Sequence, residues 1–289
     1  MSAEVFHPPD TAAVPDAAIE HLACALRDRR IVALTGAGCS TESGIPDYRG
    51  PGRRAALRRP IQHLEFVTRP EVRARYWARS VLGWPVFATP RPNAAHRALA
   101  DLERAGILAG VITQNVDRLH QSAGSNRVIE LHGALTWVRC LDCGAAVARS
   151  ELQHRLVELN PGFASAHAPG LRPDGDADLP PEAERAFQVP SCESCGGVLK
   201  PDVVFFGANV PTWVVAAAFE LLERGDALLV VGSSLAVYSG YRFVARAAAR
   251  RTPIAIVNLG ETRADRLAAA RLEARAGDVL PRLASALGA

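Results

Sequence analysis

The 289-residue chain is 48% hydrophobic and 22% charged, with a formal net charge of +3. That is ample apolar material for one sizeable domain plus a smaller module, and the charge balance points to no nucleic-acid partner. No stretch approaches the roughly 18 consecutive apolar residues of a membrane span. Residues 1–16 carry Glu4, Asp10, Asp16 and the Pro8-Pro9 pair, which is neither a secretory nor a transit-peptide composition. They read as a short arm, and the expected location is the cytoplasm. Lys200 is the only lysine; the other 32 basic residues are arginine, which reads as a compositional bias shared with the abundant alanine.

Ile19, Leu22, Ala23 and Leu26 recur at helical spacing and predict an amphipathic helix over residues 16–29. A short apolar run at 31–35 follows and ends on Gly36, as a buried parallel strand does. Similar runs lie at 110–113, 128–131, 227–231 and 254–258, with helical patterns at 93–105, 212–224 and 240–250. Strands alternating with helices predict an α/β fold with a Rossmann-like, doubly wound parallel sheet. The expected division is a discontinuous sheet domain (16–49, 92–132 and 199–289), a helical segment at 50–91, and a metal module with a long insertion at 133–198. A monomer is compatible with this organisation.

The six cysteines include two matched knuckles, Cys140-Leu-Asp-Cys143-Gly and Cys192-Glu-Ser-Cys195-Gly. One C-x-x-C is equally a redox motif. Two with matched glycines predict a tetrahedral zinc shell, closed to water and therefore structural. Of the remaining thiols, Cys24 falls near an apolar helix face and reads as core packing, while Cys39 sits in a glycine loop with no assigned chemistry.

That loop, Gly36-Ala37-Gly38-Cys39-Ser40, follows a strand directly, so Gly38 would let backbone approach a pyrophosphate at the start of a helix. Thr41 stands where a dehydrogenase fingerprint has its third glycine, and the acidic residue about twenty positions on is missing. The next residues, Ser43-Gly-Ile45-Pro46-Asp47-Tyr48-Arg49, bring a carboxylate and a guanidinium beside the loop.

The run from Gly36 to Arg49 resembles the sirtuin signature, with Tyr48 where many members carry Phe. Four further blocks agree in order: Thr113-Gln-Asn-Val-Asp117, Glu130-Leu-His-Gly133, Lys200-Pro-Asp-Val-Val-Phe-Phe-Gly207 and Val231-Gly-Ser-Ser-Leu235. The resemblance spans about residues 20 to 285. Arg59-Pro-Ile-Gln-His63, Tyr76-Trp-Ala-Arg79 and Tyr238-Ser-Gly-Tyr-Arg242 are similar to the class II branch, which includes the mitochondrial lipoamidase-type members. It implies an NAD-dependent protein-lysine deacylase with acylated-lysine proteins as partners. The acyl oxygen attacks the ribose as nicotinamide leaves, and a base then activates a ribose hydroxyl. The alternative is ADP-ribosyl transfer from the same pocket.

The resemblance also assigns roles. His132 is the base, whose imidazole titrates in the right range; His63, His96 and His120 read as helix or loop residues. Asn115 would orient the ribose or a water, Gln114 would contact ribose, and Asp117 would receive the nicotinamide carboxamide with help from the Ile45 backbone. Gly36, Ala37, Gly38, Ser40, Pro46, Asp47, Tyr48, Arg49 and Val116 would complete that half of the cofactor site. Gly232, Ser233 and Ser234 would face phosphate, with Asn258, Leu259 and Gly260 at the adenosine ribose and Ala276 contributing backbone. Val204, Phe205, Phe206 and Gly207, with Val237 and Tyr238, would take the peptide as a middle strand; Ala208 stands where the family often has an acid. Tyr76 and Arg79 have the Y-x-x-R spacing of desuccinylating members, where a guanidinium meets an acyl carboxylate. The insertion at about 150–190 is expected to border the acyl channel.

Overall fold

A computed structural model describes residues 13–47, 60–166 and 179–289. Its strands, in chain order, are β1 Ile31–Thr35, β2 Leu108–Thr113, β3 Val128–Glu130, β4 Gly133–Cys140, β5 Ala146–Ala148, β6 Leu199–Val203, β7 Ala227–Val231, β8 Ile254–Val257 and β9 Ala270–Leu272. They form a six-stranded sheet in the order β3-β2-β1-β7-β8-β9, parallel throughout, and a three-stranded antiparallel sheet in the order β5-β4-β6. Among the described residues, no helix is long and apolar enough to cross a membrane.

The parallel sheet is buried on both faces, so its strands read as continuous apolar runs. Successive residues point to opposite sides. Ile31 and Ala33 of β1 join one core with Leu22, Leu99 and Leu283, contributed by the helices Asp16–Leu26, Ala94–Arg104 and Ala276–Leu287. Val32 and Leu34 join the opposite core with Leu221 and Phe243, from the helices Thr212–Glu223 and Tyr238–Ala249. The predicted strands and helices of this unit lie where the periodicity puts them, within a few residues. β9 and the last helix, Ala276–Leu287, lie outside the predicted elements. Cys24 is exposed, its thiol beside Glu20 and Arg27, because its position falls at the edge of the buried helix face rather than on it.

The second compact unit comprises 60–90 and 132–209, again within the described residues. This differs from the expected division in two respects. The helices His63–Thr68 and Pro70–Phe87 share one core with the metal module, through Phe66, Tyr76 and Trp77 against Val138, Leu152 and Leu199. Residues 199–209 leave the parallel sheet for this unit because β6 pairs antiparallel with β4, Cys140 opposite Leu199. The insertion contributes the Arg149–Leu159 helix and buries Leu152, Leu156, Leu179 and Phe187.

The chain enters β4 through Gly133, at φ +76°, where an added Cβ would lie 2.0 Å from Asp202 O. Gly106 has nearly the same φ, +78°, with nothing within 4 Å of such a Cβ. Gly106→Ala carries only the left-handed backbone cost, about 1 kcal/mol, whereas Gly133→Ala must also move a paired strand and is expected to cost about 3 kcal/mol or more. Urea unfolding of the two variants checks this; equal losses would place the strain in φ alone.

Candidate functional site

The sheet order reverses between β1 and β7, the position where open α/β sheets bind ligands beyond their strand ends. There the glycine loop meets the turn after β7. Gly36 N–H donates to Val231 O at 3.0 Å and Gly38 N–H to Gly232 O at 2.9 Å. A Cβ on Gly36 would lie 2.8 Å from Gly232 O, and one on Gly232, at φ +60°, 2.2 Å from Cys39 N. The chain's own backbone crossing therefore requires these glycines before any ligand does. The helix expected after the loop is replaced by two 3₁₀ turns, Ala37–Cys39 and Thr41–Ser43. Their N–H groups donate three residues back, as Cys39 to Gly36 and Gly44 to Thr41, and left-handed Gly44 ends the second turn.

The segment after β2 is laced onto this crossing. Gln114 N–H donates to Thr35 O at 2.9 Å, and its side-chain amide donates to Ser233 Oγ at 2.7 Å. Asn115 Nδ2 donates to Gly36 O at 3.1 Å and to Ser40 Oγ at 3.0 Å. Ser40 Oγ in turn donates to Asp117 Oδ2 at 2.7 Å, while Asp117 Oδ1 accepts from Leu119 N–H at 2.9 Å. Asp117 thus holds the first N–H of the short Leu119–Ser122 helix and faces the network at once. Burial raises its proton affinity, against these hydrogen bonds. Val116 is half-buried beside it. Ile45 and Pro46 are buried, the Ile45 N–H donates to Ser40 O at 3.3 Å, and Asp47 is half-buried. Tyr48 and Arg49 lie outside the described residues.

Three further buried residues, Cys39, His96 and His120, stand behind this network. His96 Nε2 lies 3.5 Å from Ser40 Oγ, and its Nδ1 lies 2.9 Å from Asn93 Oδ1, the cap of its own helix. His120 Nε2 lies 2.8 Å from Thr35 Oγ1. Loss of hydration pushes His96 down to about 4 and His120 well below its ordinary value, and it raises the Cys39 thiol. Both imidazoles are neutral at physiological pH. The Asn93-x-x-His96 spacing was a readable capping signal.

Further along the sheet, Ser233 is buried and its hydroxyl oxygen also accepts from Leu235 N–H at 3.2 Å. Ser234 O accepts from Arg263 N–H at 3.0 Å. Asn258 is buried, with Nδ2 donating to Leu259 O at 2.9 Å and Gly260 O at 3.1 Å. Ala276 opens the last helix, and the next N–H, of Gly277, donates to Glu42 Oε2 at 2.7 Å. Val237 and Tyr238, at the start of their helix, are exposed.

In the other unit, His132 is half-buried and its carbonyl accepts from Val204 N–H at 2.8 Å. Residues 204–206 follow directly on β6, and Gly207, at φ +82°, begins a turn. Phe206 O accepts from His63 N–H at 2.8 Å and pairs with Gln62 in a parallel bridge, so an incoming strand must use other backbone groups. Phe205 packs on Phe66 and Tyr76, and Phe206 is exposed. Tyr76 is buried in the core, and Arg79 Nε donates to Glu184 Oε1 at 2.7 Å, both charged groups being buried. This corrects the expectation of a guanidinium waiting for an acyl carboxylate: the Pro181–Ala186 helix of the insertion already supplies one. Arg149, also buried, is held instead by Ser80 O and Oγ, each at 3.1 Å, with the faces of Trp77 and Trp84 beside it.

The four paired cysteines converge. Cys140 and Cys195 sulfurs are 3.5 Å apart and those of Cys143 and Cys192 are 3.8 Å apart. These match the edge of a tetrahedron with Zn–S bonds of about 2.3 Å. The knuckles are alike: Gly144 N–H donates to Cys140 O and Gly196 N–H to Cys192 O, with both glycines at φ +75°. The donor set and spacing fit zinc, held by these four thiolates with no position left for water.

Purified protein is expected to contain one zinc per chain, lost in Cys143→Ser together with part of the near-ultraviolet dichroism of the unit that holds it; full zinc retention in that variant would break the assignment. For the histidines, the unfolded state takes up protons below about pH 6.5 while buried His96 resists down to about 4. Stability is therefore complete above 6.5 and falls as pH drops. Unfolding free energy between pH 6.5 and 4.5 should fall more steeply in the wild type than in His96→Gln, by about 1.4 kcal/mol per pH unit. Parallel slopes would contradict a neutral buried His96.

The Sir2 family model matches residues 36–239. The chain is 53% identical to NAD-dependent protein deacetylase 1 of Streptomyces coelicolor, over 92% of this chain and 89% of that protein. It is 50% identical to the bovine mitochondrial NAD-dependent protein lipoamidase sirtuin-4, over 97% of this chain and 90% of that one. Among solved structures, a Sir2–p53 peptide–NAD+ complex superposes with a TM-score of 0.71 at 31% identity, covering 92% of this chain and 96% of the other. With the cysteine shell, the glycine crossing and the Asn115–Asp117 network in place, the conclusion is that the chain belongs to the Sir2 family.

Proposed function

We propose that His132 is the general base of an NAD-dependent protein-lysine deacylase whose cofactor is held by the loops following β1, β2, β7 and β8. The deacetylase and lipoamidase names of the relatives support deacylation over ADP-ribosyl transfer. NAD+, when bound, would supply the ribose that takes the acyl group as its bond to nicotinamide breaks, with one water consumed to release lysine and O-acyl-ADP-ribose.

The observation that carries this reading is the Ser40–Asn115–Asp117 network at the sheet's reversal point. A primary carboxamide needs an acceptor for its N–H groups, and the Asp117 carboxylate, fixed by Ser40 and Leu119, is such an acceptor. Asn115 commits its NH2 to Gly36 O and Ser40, so its Oδ1 is the atom it turns to a ribose hydroxyl or a water. His132 takes the ribose hydroxyl proton as a neutral imidazole. Ser233 and Ser234 face phosphate; Asn258, Leu259 and Gly260 border the adenosine ribose. Residues 204–207 meet the acylated peptide chiefly through backbone.

The Arg79–Glu184 pair bears on the acyl group. With its charge already met, Arg79 gives an acidic acyl chain no net attraction, and neutral acyl groups are favoured. The lipoamidase name of the sirtuin-4 relatives accords with a neutral acyl group.

Nicotinamide release from NAD+ with a peptide panel is the test. Acetyl- or lipoyl-lysine should drive release at least ~10-fold faster than succinyl-lysine, and His132→Ala should abolish it. Glu184→Ala, which strips the guanidinium of its partner, should narrow or invert that preference. Release independent of every acylated peptide would shift the reading to ADP-ribosyl transfer, and succinyl-lysine as the best substrate of the wild type would overturn the neutral-acyl assignment.

A further inference from the structure

We infer that Lys200 is a positioning residue whose ammonium clamps the end of β6 against the segment 204–207 that follows it, holding that segment ready for the acylated peptide. The inference rests on the reading of 204–207 as a peptide-binding strand.

A chain that places arginine at every other basic position keeps lysine at one. Compositional bias accounts for the 32 arginines and leaves the exception unexplained. The structure shows what the exception does. The Lys200 side chain is buried, and its Nζ donates to Pro201 O at 2.9 Å and to Val203 O at 2.5 Å. It also lies 4.5 Å from the centre of the Phe205 ring. One cation thus gathers two carbonyls and an aromatic face from the five residues that follow it.

The geometry selects an ammonium. Its three donors spread tetrahedrally from one small atom, so carbonyls two residues apart can both be reached from the same point. A guanidinium is planar, longer and bulkier, and its fork suits a carboxylate rather than two carbonyls of one strand and a ring beside them. The clamp acts directly on function-bearing atoms. Val203 precedes Val204, whose N–H donates to the carbonyl of His132, and the Phe205 ring under the ammonium packs on Phe66 and Tyr76. Releasing the clamp frees both backbone edges of the segment while leaving the cofactor loops, which belong to the other unit, intact.

The experiment compares wild type, Lys200→Arg, Lys200→Met and Phe206→Ala in steady-state deacylation, varying peptide and NAD+ separately. Both lysine variants are expected to raise the KM for acylated peptide about 10-fold, the loss expected when a charge-assisted buried hydrogen bond is removed. The KM for NAD+ should change less than about 2-fold. A general structural weakening would move both constants, and arginine would then rescue. Because Lys200 is the only lysine, lysine-selective 13Cε labelling gives one resonance in the wild-type protein. It should shift on saturation with acylated peptide, a readout that holds even if a variant folds poorly. Unchanged peptide KM in Lys200→Arg, or an unmoved resonance at saturating peptide, overturns the clamp while Phe206→Ala still raises peptide KM. If Phe206→Ala leaves peptide KM unchanged, the strand reading fails and the clamp falls with it.

Discussion

The structure depends on one backbone crossing, where the turn after β1 lies against the turn after β7. Gly36 and Gly38 donate to Val231 and Gly232 across it, with no room for a side chain on either strand end. Each polar group nearby is then fixed by another: Gly36 O holds Asn115, Asn115 holds Ser40, Ser40 holds Asp117, and Gln114 holds Ser233. Hydrogen bonds in such a low-dielectric site reinforce one another and leave little reorganisation for the moment of reaction. The cost is borne by Asp117, a carboxylate drawn away from water, and by two imidazoles that must stay uncharged.

The smaller unit meets a different constraint, that of burying cations. It solves it three ways. Arg79 pairs with a carboxylate, Arg149 lies between indole faces and a serine, and Lys200 gathers carbonyls. Removing one member of a buried pair of this kind costs about 3–5 kcal/mol because the survivor stays charged and dry. Burial lowers Arg149 to about 10 and Lys200 to about 8. The insertion that separates the zinc knuckles supplies both Arg149 and Glu184, so it is part of this core and not an appendage.

Much of this was legible in the sequence. Full burial of the parallel strands makes them short apolar runs, and the two knuckles with their following glycines declare a metal shell from spacing alone. The glycine loop was found for a reason the structure reorders, since its glycines answer first to Gly232, a residue about two hundred positions away that no local pattern connects to them. β6, Leu199-Lys-Pro-Asp-Val203, carries no strand signal because a lysine, a proline and an aspartate interrupt it, and its antiparallel pairing with β4 is set by tertiary packing. Arg79 looked available because its partner, Glu184, lies 105 positions on, in a short helix with no marked periodicity. Long-range pairs of this kind are set by tertiary packing, which single-sequence patterns do not encode.

The burial of Lys200 leaves the enzyme with a surface that carries no ε-amine at all. An electrophilic acyl donor that reacts with amines would meet arginine there, whose guanidinium stays protonated and is a poor nucleophile. A catalyst that strips acyl groups from others is thereby built from a covering that scarcely acquires them, and it does not present its own flank as a competing substrate.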